Sequence, residues 1–364
     1  MSDDLIYRIA ISKIPKVGAV TARTLIGYCG SVEHVFKAKK KDLLKIPNIG
    51  ETIAQNILNQ DVLRQAEAEI KFIEKYKIQP IFYLDKNYPA RLKHYNDAPL
   101  MLFYKGNADL NQARIVGIVG TRKPTERGKA ICAEIVEDLK PYNVLIISGL
   151  AYGIDITAHK KSVDLGIETV GTLGHGLDRI YPSAHKKTAE KMVQCGGLLT
   201  EFTSGTQPHH ANFPARNRII AGLSDVLVVV ETARSGGSMI TAKMANDYNK
   251  DVFAIPGRVN DSKSEGCNLL IKSHRANLME SVEDIKYIMR WETEEPKSKQ
   301  RSLFVELSEV ERKIVEALRG KESIPIDDLV FQLKLSPSIL SMNLLNLEFQ
   351  GVIKTLPGKR YMLI

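Results

Sequence analysis

The strongest constraint on the fold is a series of short, continuous apolar runs, many rich in β-branched residues, spaced by helical stretches through the middle of the chain. The runs fall at Ile81–Leu84, Leu100–Tyr104, Ile115–Val119, Val144–Ile147, Thr169–Leu173, Val226–Val230 and Val252–Ile255. Segments such as Arg127–Leu139 and Met239–Tyr248 read as helices between them. A strand with one face in water alternates apolar and polar residues, so runs without alternation belong to strands buried on both faces. Interleaved helices supply the crossovers that parallel strands require. The residues therefore predict an α/β domain on a parallel sheet, spanning residues 76–290. Ligands of such sheets lie beyond the carboxyl ends of the strands.

Four of the junctions share a chemistry. The breaks V-G-T-R at 119–122, S-G-L-A-Y-G-I-D at 148–155, F-P-A-R-N-R-I-I at 213–220 and S-G-G-S-M-I-T-A at 235–242 combine small residues with nearby basic or amide side chains. Such junctions present backbone N–H groups at helix N-termini, where phosphates bind. Nucleotide cofactors are disfavoured, and none is expected. Gly117-Ile118-Val119-Gly120 lacks the G-x-G-x-x-G spacing, and Gly128-Lys129-Ala130 lacks the upstream glycine and the hydroxyl of a P-loop. The 364-residue chain carries a formal charge of +9, most of it between residues 76 and 303, which favours an anionic partner.

Cys29, Cys132, Cys195 and Cys267 are widely separated, so they read as reduced thiols and not as a disulfide framework or zinc site. No metal is expected. The sequence shows no stretch of membrane-spanning length and no cleavable leader after Met1-Ser2-Asp3-Asp4, so a cytoplasmic location without membrane association is expected.

The flanks differ from the centre. Residues 1–75 form a helical pattern around two similar turns, Ile14-Pro15-Lys16-Val17-Gly18 and Ile46-Pro47-Asn48-Ile49-Gly50. This repeat resembles tandem helix-hairpin-helix units and predicts a small SAM/helix-hairpin-helix-like domain, serving either as a DNA contact or as a plain helical bundle. Residues 291–303 lose their apolar side chains and read as a linker. Within residues 304–364, helical patterns at Ser308–Leu318, Pro325–Leu333 and Pro337–Gln350 precede a hairpin turning at Pro357-Gly358, which describes a winged helix. Its positive and negative charges balance, so a partner protein or dimer contact rivals DNA as its target.

Taken together, the central motifs resemble the DNA-processing protein A (DprA/Smf) family. The resemblance rests on Gly120-Thr121-Arg122-Lys123-Pro124, on Ser148-Gly149-Leu150-Ala151 with Gly153-Ile154-Asp155, and on Gly176-Leu177-Asp178 with Tyr181-Pro182. It continues in Phe213-Pro214-Ala215-Arg216-Asn217-Arg218, Ser235-Gly236-Gly237-Ser238 with Thr241, and Ala254-Ile255-Pro256-Gly257, all in order. It implies an extended Rossmann-like domain that binds single-stranded DNA, forms a homodimer, protects incoming DNA and helps load the RecA recombinase during natural transformation and homologous recombination. Two stretches depart from the family pattern. His209-His210 and Asn212 stand where a basic residue is usual, and Ser273-His274 replaces a Gly-Ala pair.

The candidate DNA-contacting residues are Gly120, Thr121, Arg122, Ser148, Gly149, Lys186, His210, Phe213, Arg216, Asn217, Arg218, Ser235, Gly236 and Thr241. Arg122 follows a strand-end glycine and can lay a planar guanidinium on a phosphate. Phe213 either stacks on a base or plugs the core. Arg216 and Arg218 either hold phosphates or pair with Asp225 or Glu231. His210 is expected to line the pocket and to strengthen binding once protonated. Asp155 and Asp178 read as caps or turn braces and His159 as a structural hydrogen-bonding group. An enzymatic alternative exists, since the domain also resembles nucleotide phosphoribohydrolases with a P-G-G-x-G-T-x-x-E motif. Laid on Ser235-Gly236-Gly237, that motif puts Lys243 or Met244 at the glutamate position, so enzymatic activity is not expected.

Overall fold

The computed structural model describes residues 4–59, 61–291, 307–319, 321, 323–349, 352–356 and 358–363. These form two units, residues 1–293 and 294–364. The first is built on a nine-stranded sheet. Its strands are β1 (Gln79–Phe82), β2 (Met101–Gly106), β3 (Ile115–Val119), β4 (Leu145–Ser148), β5 (Thr169–Thr172), β6 (Gly196–Thr200), β7 (Val226–Val229), β8 (Asp251–Ala254) and β9 (Asn277–Leu278). They lie in the order β1-β2-β6-β5-β4-β3-β7-β8-β9.

Strands β6 through β9 of that order run parallel, as the apolar runs predict. The expectation of an all-parallel sheet needs one correction. β2 pairs antiparallel with both β1 and β6, because only a short helical turn at Ala90–His94 joins β1 to β2, and an antiparallel neighbour needs no helical crossover. Two strands escaped the sequence reading. β6 opens on Gly196-Gly197, and glycine weakens the strand signal, while β9 is only two residues long.

Every residue of β3, β4, β5 and β7 is buried. Successive side chains of β3 serve opposite layers, as strand geometry requires. Ile115 and Val119 pack with Ile219, Ile220 and Ala242 of the helices Asn212–Leu223 and Gly237–Asp247. Val116 and Ile118 pack with Cys132, Val136 and Ile154 of the helices Glu126–Asp138 and Ile154–Leu165 on the other face.

The helices Asp4–Lys13, Ala19–Cys29, Glu51–Leu58 and Asp61–Tyr76 share a core with Phe82, Leu100, Met101 and Phe103 of the adjoining sheet. The two expected hairpin turns have matching geometry. Val17 N–H donates to the Ile14 carbonyl and Ile49 N–H to the Ile46 carbonyl, each at 3.1 Å, and Lys16 and Asn48 both adopt positive φ. Trp291, expected to open the linker, instead packs against Tyr142 in the sheet unit's core. The rest of that linker lies outside the described residues.

The second unit packs the helices Glu309–Leu318, Ile326–Leu333 and Pro337–Phe349 around Ile314, Leu329, Leu340 and Leu344. A three-stranded sheet completes it, with β10 (Ile324–Pro325), β11 (Ile353–Leu356) and β12 (Arg360–Leu363) in the order β10-β12-β11. This is a winged helix. Among the described residues, no helix is long and apolar enough to cross a membrane.

Candidate nucleic-acid interface

The connection after β3 leads to β4 on one side of it, whereas the later strand β7 pairs on the other side. Strand order therefore reverses between β3 and β7, the place where open α/β sheets bind ligands. A cavity of about 510 Å³ occupies that place, and it takes lining residues from all four small-residue junctions.

The loop after β3 is held from below. Thr121 N–H donates to the Glu231 carbonyl at 2.6 Å, and the Glu231 carboxylate accepts from Thr125 N–H at 2.9 Å and Thr125 Oγ1 at 2.5 Å. Thr125 in turn caps the helix Glu126–Asp138 through Gly128 N–H. Arg122 and Lys123 are left exposed on the pinned loop. Gly153, at φ +85, brings the second junction against this loop, and any Cβ there would overlap the Thr121 carbonyl oxygen.

Beneath the cavity lies a buried pair. Arg216 donates to the Thr172 carbonyl and faces Asp155, whose carboxylate also accepts from Ala151 N–H at 3.3 Å. Both side chains press on Gly149, where a Cβ would overlap the Asp155 carboxylate and crowd the Arg216 guanidinium. Burial pushes the Asp155 carboxyl up to about 6, against the pull of Arg216, the Ala151 amide, Ser148 and Arg122. Burial likewise lowers Arg216, with Asp155 opposing. The N-terminus of the helix Gly237–Asp247 adds its partial positive charge through Gly236 and Gly237, which line the same cavity.

Phe213 forms one wall. The Arg122 guanidinium lies 5.8 Å from its ring centroid, and the Tyr181 ring stacks at 6.1 Å with an interplanar angle of 30°. The aromatic ring is half-buried and reaches the cavity, so it lies at the surface the ligand would meet and does not plug the core.

Gly120, Thr121, Arg122, Phe213, Arg216, Asn217, Gly236 and Thr241 thus come together around one cavity. The other candidates do not line it. Ser148 is fully buried and donates to the Ile118 carbonyl at 2.5 Å, tying β4 to β3. Gly149 lies behind the Asp155–Arg216 pair. Ser235 is exposed beside the cavity-lining Gly236, and Lys186 is exposed at the start of the helix Lys186–Gln194. His210 is exposed against His209, ring centroids 4.1 Å apart, so it has no place in the pocket expected for it.

Arg218 points elsewhere, into an ion pair with Glu201 in a separate depression that Val17, Gly18 and Ala19 of the first hairpin also line. The proposed partners Asp225 and Glu231 are already occupied, by Arg91 at 2.7 Å and by Thr125. Arg218 does pair with a carboxylate, but that of Glu201, whereas Arg216 bonds the Thr172 carbonyl and faces Asp155 without a direct ion pair.

Asp155 braces the second junction and Asp178 accepts from Gly205 N–H at 3.0 Å, in keeping with the brace reading. His159 is structural. Its Nε2 donates to the Gly149 carbonyl at 2.6 Å and its Nδ1 meets Thr169 Oγ1 at 2.7 Å, while burial lowers its pKa to about 4. Tyr181 as the ring facing Phe213 was not anticipated, since no local pattern marks a contact across that separation. Among the described residues, no group of three or more His, Cys, Asp or Glu could hold a metal ion.

Fold and cavity together define a Rossmann-like protein with a cleft lined by Arg122, Lys123 and Arg216 at the sheet's switch point. The family model described as DNA recombination-mediator protein A matches residues 79–290, with a DprA winged helix domain at 298–359 and a helix-hairpin-helix motif at 10–60. The DNA processing protein DprA of Streptococcus pneumoniae is 36% identical over 272 residues, covering 69% of this chain and 96% of that protein. Its Bacillus subtilis counterpart is 39% identical over 201 residues, covering 55% and 67%. The solved Streptococcus pneumoniae DprA structure superposes with a TM-score of 0.65 at 32% identity over 80% of this chain and 99% of that one. A Helicobacter pylori DNA processing protein A, described for its single-stranded DNA binding mode, gives 0.54 at 28% identity over 60% and 98%. The chain belongs to the DNA-processing protein A (DprA/Smf) family.

Proposed function

We propose that this chain is a cytoplasmic single-stranded DNA-binding protein that protects incoming DNA and loads the RecA recombinase in natural transformation and homologous recombination, acting as a homodimer without enzymatic activity. The observation that carries the binding reading is the cavity itself, where Arg122, the N-terminus of the helix Gly237–Asp247 and the face of Phe213 meet. Cations that track a backbone beside an aromatic face are what sequence-tolerant single-strand binding needs. The Helicobacter pylori relative, described for the same ligand, supports it. RecA loading, protection and the dimer rest on family membership.

The test is a pair of titrations on the full chain. Single strands should bind more tightly than duplexes of equal length, because stacking on Phe213 needs unpaired bases. RecA should assemble faster on a single strand carrying the protein. Equal affinity for duplex would move binding to the hairpins or the winged helix, and unchanged RecA assembly would refute the loading role.

A further inference from the structure

We propose that a single strand leaving the cleft runs on through a second groove, over the carboxyl ends of β7 and β8, where Arg234 and Lys272 hold its phosphates. The inference rests on the single-strand reading above and adds the direction and length of the bound strand. The groove measures about 890 Å³ and lies one strand further along the sheet, on the helix Glu265–Lys272. The loop after β7 is the wall between the two sites. Its Ala233 and Gly236 line the cleft, whereas Arg234 lines the groove. A chain of phosphates that passes the N-terminus of the helix Gly237–Asp247 on this side meets Arg234 next.

Both walls are fixed before any ligand arrives. Gly266 N–H donates to the Thr232 carbonyl at 2.9 Å, so close that a Cβ on Gly266 would overlap the Thr232 and Ala233 carbonyl oxygens. Gly236 N–H closes the loop on the Ala233 carbonyl, also at 2.9 Å. On the far side the Asn268 side chain is bonded twice to Gly257, its Oδ1 accepting from the N–H at 3.1 Å and its Nδ2 donating to the carbonyl at 3.0 Å. That clamp holds the loop after β8, whose Val259 lines the groove and is 88% exposed. Val259 and Leu269 form an apolar strip beside the cations, against which bases can lie.

The cations are free to take phosphate. Elsewhere on this unit exposed lysines pair with a carboxylate three residues away, as Lys45 with Asp42, Lys129 with Glu126 and Lys286 with Glu283. Arg234 and Lys272 are exposed, and among the described residues neither has an ion pair. A preformed groove with unpaired cations needs little reorganisation on binding. Glu265 is the acid on the lining. It stands in the first turn of its helix, where a carboxylate complements the helix dipole.

The experiment measures affinity of the full chain for oligothymidylates of about 4 and about 12 nucleotides, within the range of strand that one such site covers. The long strand should bind wild type more tightly than the short one. Arg234→Ala together with Lys272→Ala should weaken the long strand by about tenfold or more and make its salt dependence shallower by about 1.4, two phosphates' share. Affinity for the short strand and Tm should not change. Glu265→Gln should tighten the long strand by about two- to fivefold, while Lys129→Ala, a loss of charge on another helix, changes neither strand. If the doubly substituted protein keeps the full gain with length, the strand takes another path and the groove is refuted. Equal weakening of both strands would mean a general loss of charge or a place in the first cleft, and overturns the proposal too. A wild type that gains nothing with length refutes the groove and leaves the cleft standing. Failure to bind either strand sinks the single-strand reading as well.

Discussion

Replacing Arg122 by alanine isolates the proposed phosphate contact from the fold. Arg122 is exposed on a loop held by backbone and Glu231, and among the described residues its guanidinium has no ion pair, only the Phe213 face at 5.8 Å. Losing that contact costs about 0.5–1 kcal/mol, which for a unit of this size lowers Tm by about 1–4 °C. A charge-assisted hydrogen bond to phosphate is worth about 1.5–3 kcal/mol, so affinity for a single strand should fall by about 10- to 150-fold. The plot of log affinity against log salt should become shallower by about 0.7, one phosphate's share for single strands. Arg122→Lys should recover the slope but only part of the affinity, since an ammonium lacks the planar fork. Fluorescence anisotropy across a salt series, with a thermal melt beside it, reads all three quantities. An unchanged slope would remove Arg122 from the phosphate, and a large drop in Tm would make it structural.

Protonating Asp155 removes the counter-charge from Arg216 and makes the cleft more positive. Its folded pKa of about 6 lies above the ordinary carboxylate value, so affinity should rise as pH falls through about 6. Asp155→Asn should bind tightly at neutral pH with little of that dependence, while His210→Ala keeps it, because His210 stands outside the cleft. The same sign governs stability. Asp155's contribution is fully present below its unfolded pKa and fades as pH rises through about 6, which thermal melts of wild type and Asp155→Asn would compare. Arg218→Ala should leave DNA affinity unchanged but strand the buried Glu201 carboxylate. Since both side chains keep some exposure, the loss belongs near the lower end of about 3–5 kcal/mol and should appear as a fall in Tm of about 5–10 °C.

The sheet was legible because β3, β4, β5 and β7 are buried on both faces, and burial of that kind writes itself as unbroken apolar runs. β6 was not, because Gly196 and Gly197 serve close approach to Thr169 and Tyr104, a tertiary need that leaves no strand pattern. The cleft was legible where its lining comes from local backbone, as at Gly120, Arg122 and Gly236. It was misread where a side chain's partner lies far along the chain. Sequence alone gave Arg216 and Arg218 the same role beside Phe213, yet they are two positions apart on a helix and so point in different directions. One bonds the Thr172 carbonyl and faces Asp155, the other pairs with Glu201. Ser148 was read as a small residue open to ligand, whereas its hydroxyl closes a gap between two strands.

The most direct test of the account is where the strand lies. Photocrosslinking the full chain to a single strand carrying 4-thiothymidine, followed by peptide mass spectrometry, should place adducts at Phe213 or Tyr181 and in segments 119–123 and 232–241. Adducts confined to residues 10–60 or 307–363 would contradict it.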